Sequence, residues 1–235
     1  MNIAIILSGG IGTRMGAKMP KQYIEVGGSP IIYYSLKTFL EHGEIDAVVI
    51  GVAEEWKNFV KKQVQIINSN KHVLYAMPGE TRQYSIYNAL KVVETICSSE
   101  DDIVVVHDAA RPLVTDVLIS RCLNGCKEVD GVMPVIPVKD TIYLSTNGKQ
   151  IKTLLDRSHL WAGQAPEAFV FHKYLKIHES MSREEILKVN GSTEIAFNAG
   201  LNCQMIEGDP MNFKVTTMED LSNFEAIVNQ NKKQE

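Results

Sequence analysis

Five short runs dominated by valine and isoleucine, at residues 3–7, 47–52, 72–76, 103–106 and 131–136, are too short for helices and read as buried strands. Between them, residues 31–42, 55–67, 82–96 and 115–128 carry apolar positions at helical spacing. This alternation predicts an α/β fold, with a mostly parallel sheet flanked by helices on both faces. Ligands of such sheets sit beyond the carboxyl ends of the strands, so the residues just after each strand are the ones to inspect.

The chain has 235 residues, 45% of them apolar and 22% charged, which suits one domain spanning 1–235 and excludes disorder, collagen and coiled coil. Its net charge of -4 gives no general electrostatic footprint for nucleic acid or an anionic membrane, so an anionic ligand needs a local basic pocket. The opening MNIAIILSGG lacks a basic leader, and its apolar run is too short for a signal peptide or a membrane span. A cytoplasmic protein with reduced thiols is the expectation. Cys122 and Cys126 stand one helical turn apart and read as packing residues, since no second pair completes a zinc site.

The pattern changes at residues 138–158, where apolar and polar residues alternate around Asn147-Gly148, a dipeptide suited to a hairpin turn. A β-hairpin outside the main sheet is marginal alone and needs a surface to pack on. The same arm of a second subunit would serve, giving a homodimer; the plainer alternative is an antiparallel pair inside the main sheet.

The first strand runs into LSGGIGTRMGAKMPKQY, where Gly9, Gly10 and Gly12 allow successive N–H groups to converge on one anion. The Walker pattern fails for want of Gly-Lys-Ser/Thr, and the dinucleotide pattern fails because Met15 holds the place of its third glycine. Two cations accompany the loop instead. Arg14 can clamp phosphate oxygens bidentately, and Lys21 supplies a compact charge able to follow a moving phosphoryl group. Three backbone donors and two cations suit a triphosphate.

Six segments in order, GGIGTRMG with PKQY, PGETRQYSIYNAL, VVVHDAARP, VKDT, LDRSHLWAGQAPEAF and FKVTTMEDL, span essentially the whole chain. Together they resemble the cytidylyltransferases that join CMP to a polyol phosphate, including the methylerythritol-phosphate and ribitol-5-phosphate enzymes and glycerol-phosphate relatives. The resemblance implies a Rossmann-like nucleotidyltransferase fold, CTP with Mg²⁺, and an acceptor site shared between subunits. It implies nucleotide contacts from Leu7, Ser8, Gly9, Gly10, Gly12, Thr13, Gly79, Glu80, Arg82, Ser85, Ala110 and Arg111. Asp108, Thr141, Arg157 and Lys214 would meet the acceptor; Arg14, Lys21 and Lys214 would be catalytic, and Asp108 could also hold the metal.

Each of these residues has a plainer reading. Residues 78–85 could be an ordinary helix start, Arg111 an ion-pair partner of Asp108, and Lys214 a solvated lysine. His107 reads as a packed histidine, because transfer to a phosphate acceptor needs no proton removed near neutral pH. Ala165 and Glu194 depart from many relatives, the first by lacking a hydroxyl, and together with Gly163-Gln164 before Ala165 they tilt the acceptor towards ribitol or glycerol phosphate for wall or capsule polymers. Three rival readings are a UTP-type sugar-phosphate nucleotidyltransferase, a non-catalytic nucleotide sensor and a dinucleotide-binding oxidoreductase. The last is disfavoured by the missing third glycine and the missing acidic residue.

Overall fold

The first strand, β1 (Asn2–Leu7), lies at the centre of the sheet because its side chains are apolar on both faces. In this computed structural model, which describes residues 1–10 and 19–232, Ala4 and Ile6 enter one core and Ile3 and Ile5 the other. A small hairpin, β2 (Glu25–Val26) with β3 (Ser29–Pro30), leads into α1 (Ile31–Glu41). Then come β4 (Ala47–Gly51), α2 (Glu54–Ile67), β5 (His72–Ala76), α3 (Arg82–Val93), β6 (Ile103–Asp108), α4 (Asp116–Cys126) and β7 (Gly131–Pro137). Each of the five strand runs and four helical segments expected from the sequence forms at its place.

The arm consists of β8 (Ile142–Leu144) and β9 (Thr153–Leu155), paired with each other in a sheet of their own. Beyond it lie β10 (Trp161–Gly163), β11 (Glu167–Val170), α5 (Phe171–Ser180), α6 (Arg183–Lys188), α7 (Ser192–Asn198), β12 (Cys203–Glu207) and α8 (Met218–Asn231). The main sheet runs β10-β7-β11-β6-β1-β4-β5, with β12 also on β7. The pairs β1–β4, β1–β6, β4–β5 and β7–β12 are parallel, whereas β11 lies antiparallel between β6 and β7.

The chain moves outward from β1 to β4 and β5, then crosses back to place β6 on the other side of β1. That reversal opens a crevice at the carboxyl ends of β1 and β6, where Leu7 pairs with Asp108. One face of the sheet packs on α1, α2 and α4 through Leu36, Phe39, Val60 and Ile119. The other packs on α3, α5 and α7 through Ile86, Leu90, Tyr174 and Ile195. Cys122 and Cys126 are buried free thiols, and burial pushes the Cys126 thiol up to about 12, in keeping with packing rather than ligation.

The arm differs from the expected tight turn. Only Gly148 has positive φ, at 69°, whereas a two-residue type I′ turn needs it at Asn147 as well. The strands instead join through a longer loop, closed by Lys152 N–H donating to Leu144 O at 2.8 Å. The Asn147 Oδ1 accepts from the N–H groups of Lys149 and Gln150, both at 2.9 Å, and so organises the turn from inside.

At Gly131, where β7 meets β11 opposite Phe169, an added Cβ would lie 2.8 Å from the Phe169 ring and 3.1 Å from Cys203 Sγ. A Gly131→Ala variant is therefore expected to lose about 1–3 kcal/mol by overpacking, seen as a lower urea midpoint with an unchanged slope.

Candidate functional site

At the end of β1 the chain is held by residues just downstream of the glycine loop. The Ser8 hydroxyl donates to Gly51 O at 2.8 Å, and Gln22 Nε2 donates to both Ser8 O at 2.6 Å and Gly10 O at 2.8 Å. Buried Tyr23, stacked on Trp56 with ring centroids 4.5 Å apart, donates its hydroxyl to Ser8 O. The PKQY segment thus clamps the base of the glycine loop. Gly9 is required by close approach, since a Cβ there would stand 2.3 Å from Pro78 Cβ. Gly12, Thr13 and Arg14 lie outside the described residues.

Lys21 reaches across the crevice, its ammonium donating to Val215 O at 2.6 Å. Val215 N–H in turn donates to Ala110 O at 2.8 Å, and Ala109 N–H donates to Leu7 O at 3.0 Å. The ends of β1 and β6 and the segment before α8 are therefore stitched together through backbone groups. Leu7 and Ala110 take part through their carbonyls.

In residues 78–85 the side chains bond to other groups of the chain. Thr81 caps α3 by accepting from Tyr84 N–H at 3.2 Å. The Ser85 hydroxyl accepts from Gly79 N–H at 2.9 Å and donates to Thr81 O at 2.8 Å, which commits it to closing the loop. Gly79 leaves no space for a side chain, a Cβ there meeting Tyr84 at 2.6 Å. Glu80 pairs with Arg183 at the exposed surface. Arg82 leaves the loop for Asp108, donating Nε–H to Oδ1 at 2.8 Å, and its Nη1 donates to the Ser192 hydroxyl.

Asp108 is the hub. Its side chain is 11% exposed; Oδ1 accepts from Arg82, Oδ2 accepts from Lys214 Nζ at 2.8 Å, and Arg111 Nε stands 3.9 Å from Oδ2. Burial alone would raise its pKa, but Arg82 and Lys214 outweigh burial and hold the carboxyl far below the usual carboxylate range. Both Asp108 oxygens are taken by cations in this arrangement. Among the described residues no group of three His, Cys, Asp or Glu could hold a metal ion.

Arg111 donates through Nη1 to Asn212 O at 2.7 Å, and burial depresses its guanidinium pKa. His107 is fully buried, with Nε2 3.0 Å from Arg111 O, and burial holds it down to about 4. It is a packing residue, as its sequence context implies. Thr141 and Arg157 sit on the exposed arm, where Arg157 donates to Lys139 O at 2.6 Å; neither bonds to the Asp108 cluster within the chain.

The two departures acquire local reasons. Glu194 caps α7, its Oε2 accepting from Asn190 N–H at 2.9 Å and Gly191 N–H at 3.1 Å. Ala165 is buried, and its carbonyl accepts from Asn212 Nδ2 at 2.7 Å. Sequence reading passed over Glu167, Ser192 and Asn212, all buried. Glu167 lies inside a segment it singled out, but no spacing rule marked it.

The arrangement gathers Lys21, Arg82, Arg111 and Lys214 at the carboxyl ends of β1 and β6 in a chain of net charge -4. Such a concentration suits a polyanion. Residues 2–230 match the family described as 2-C-methyl-D-erythritol 4-phosphate cytidylyltransferase, IspD. A 2-C-methyl-D-erythritol 4-phosphate cytidylyltransferase of Clostridium beijerinckii is 37% identical over 96% of this chain and 97% of its own. A ribitol-5-phosphate cytidylyltransferase of Streptococcus agalactiae serotype Ia is 30% identical over 97% of this chain and 95% of its own. The crystal structure of the Francisella tularensis 2-C-methyl-D-erythritol 4-phosphate cytidylyltransferase superposes with a TM-score of 0.79 at 28% identity, covering 95% of this chain and 99% of that one.

Burial of His107 and His178, each held down to about 4, sets a pH dependence of folding. Below the ordinary histidine pKa of about 6.5 the unfolded chain takes up protons that the folded chain refuses until about 4. Stability is thus expected to fall on acidification through that window, by about 1.4 kcal/mol per pH unit for each histidine. Urea midpoints measured from pH 7 to 4.5 check this, and His107→Gln should flatten the slope by one histidine's share.

Proposed function

Because the chain belongs to the IspD family and is a cytidylyltransferase, we propose that it transfers CMP from CTP to a small polyol phosphate, giving a CDP-polyol and pyrophosphate. The observation that carries this reading is the buried Asp108 with Arg82, Lys214 and Arg111 around it, facing Lys21 across the crevice. An oxygen of the acceptor phosphate attacks the α-phosphorus of CTP in line. The new P–O bond forms as the α–β anhydride bond breaks, and pyrophosphate leaves with its electron pair. No covalent enzyme intermediate is required.

The work left to the protein is to bring two mutually repelling anions together and to stabilise charge at the transferring phosphorus. Arg14 and Lys21, with the backbone of residues 7–13, are assigned to the triphosphate, and the loop 78–85 to the base and ribose. Ala110 and Arg111 complete that side, while Lys214 and Asp108 meet the acceptor. Arg82, committed to Asp108, moves from the nucleotide to the acceptor half. Lys214 is held by Asp108 until the acceptor phosphate competes for it. A divalent ion, Mg²⁺ foremost, would arrive on the phosphate oxygens of CTP, since the described side chains offer it no cluster.

The acceptor proposed is ribitol or glycerol phosphate, for a wall or capsule polymer precursor. The ribitol-5-phosphate relative and the missing hydroxyl at Ala165 support it. Methylerythritol phosphate is the second reading, favoured by the 37% identical relative. A homodimer through residues 138–158 belongs to the same proposal. Tyr143, Leu144, Ile151 and Leu154 are exposed apolar residues on the arm. Beside the arm's base lies an apolar groove of about 550 Å³, lined by residues that include Pro137, Trp161 and Met205. Thr141 and Arg157 would then be offered to the acceptor across the subunit boundary.

Among the described residues no helix is long and apolar enough to cross a membrane. Pyrophosphate release with CTP against ribitol, glycerol and methylerythritol phosphates should give turnover with a polyol phosphate. Turnover with UTP and none with CTP would refute the reading, and binding without pyrophosphate release would mark a sensor. Lys21→Ala should lower kcat about a hundredfold, the loss of on the order of 3 kcal/mol of transition-state stabilisation, in the same assay.

A further inference from the structure

We propose that Glu167 and Ser192 are positioning residues, holding the Arg82 guanidinium against Asp108 so that its remaining N–H groups stay open to the acceptor phosphate. The inference rests on the cytidylyltransferase reading and deepens its acceptor side.

Strand register brings these groups together. Glu167 stands opposite Val106 in the antiparallel β11–β6 pair, and Asp108 lies two residues beyond Val106 on the same face. That face is covered by α3, which begins with Arg82, and by α7, which begins with Ser192. Ser192 is wholly buried and fixed by the Glu194 cap on the preceding Gly191. Its hydroxyl accepts from Arg82 Nη1, and the buried Glu167 carboxyl lies close enough to the same guanidinium to feel its charge. A hydroxyl and a second buried carboxyl therefore back the Arg82–Asp108 pair, while the Arg82 side chain keeps 29% of its surface exposed.

Stability does not account for Glu167. Its Oε2 is buried without a hydrogen-bond partner, and Thr193 Oγ1 beside Ser192 is likewise unpartnered. A buried polar atom in that condition costs stability, and an apolar side chain of similar size would be tolerated better. Burial raises the Glu167 pKa against the pull of Arg82, which shows the same expense from the electrostatic side. What these groups supply is direction: Ser192, with Glu167 behind it, fixes one edge of Arg82 while Asp108 fixes another. A guanidinium held at two edges presents its remaining donors at a set angle, which is the property a bidentate phosphate contact needs.

Steady-state kinetics of Ser192→Ala, Glu167→Leu and Glu167→Gln test this, with CTP and the polyol phosphate varied separately. The expected result is an acceptor KM raised about tenfold in Ser192→Ala and Glu167→Leu, with the CTP KM within twofold of wild type. Glu167→Gln, which keeps a polar group of the same shape behind Arg82, should recover most of the acceptor affinity lost in Glu167→Leu. The urea midpoint of Glu167→Leu should be no lower than that of the wild type. Both KM values rising together with a falling midpoint, or neither KM moving, would overturn the inference while wild-type turnover leaves the function standing. Absence of wild-type turnover with CTP and any of the three acceptors would overturn the function itself and this inference with it.

Discussion

A single buried carboxylate organises the charged end of this molecule. Asp108 is carried to the crevice by β6, the most apolar stretch of the chain, and is too deeply placed to be solvated. It stays ionised only because cations surround it, so Arg82, Lys214 and Arg111 are drawn from three separate parts of the sequence to one point. The pairing works in both directions. The carboxylate lets several cations gather without mutual repulsion driving them apart, and they leave a surplus of positive charge at the crevice.

The segment between β12 and α8 transmits that organisation to the rest of the site. Gln164 donates to Asp209 O at 2.8 Å and accepts from Asp209 N–H at 3.0 Å, pinning the segment to the end of β10. Asn212 joins it to Ala165 on one side and to Arg111 on the other. Lys214 and the Val215 carbonyl that receives Lys21 come directly after. Behind them Val215 is locked against Val26, Phe224 and Val228 in a small separate core. The cations are thus set by packing and by backbone bonds of neutral groups, and the charge pairs settle into places already prepared.

Much of this was legible in the sequence, for identifiable reasons. The strands of the parallel half announce themselves because a strand buried on both faces must be apolar at every position. The strands β10, β11 and β12 do not: WAG and EAFV are short, and CQMIE is half exposed, so none shows a sustained run or a clean alternation. Arg111 and Lys214 stood out through their motifs and lie at the hub. Arg82 stood out too but was assigned to the nucleotide half, because its partner Ser192 is 110 residues away and nothing local foretells the turn of its side chain. The hydroxyl of Ser85 reads as a nucleotide contact and Glu194 as a departure near the acceptor, whereas the backbone engages both. Short polar side chains beside helix starts satisfy nearby N–H groups first.

The turn of the arm has a consequence of its own. With Asn147 and Ser145 tying its peptide groups and Gly148 N–H donating to the Ser145 hydroxyl at 3.0 Å, the tip is knotted internally. It therefore meets any covering surface as a preformed finger rather than a loose thread. Docking would then freeze few torsions, and most of the apolar area hidden at Tyr143, Leu144 and Leu154 would count towards adhesion instead of being consumed in ordering the chain.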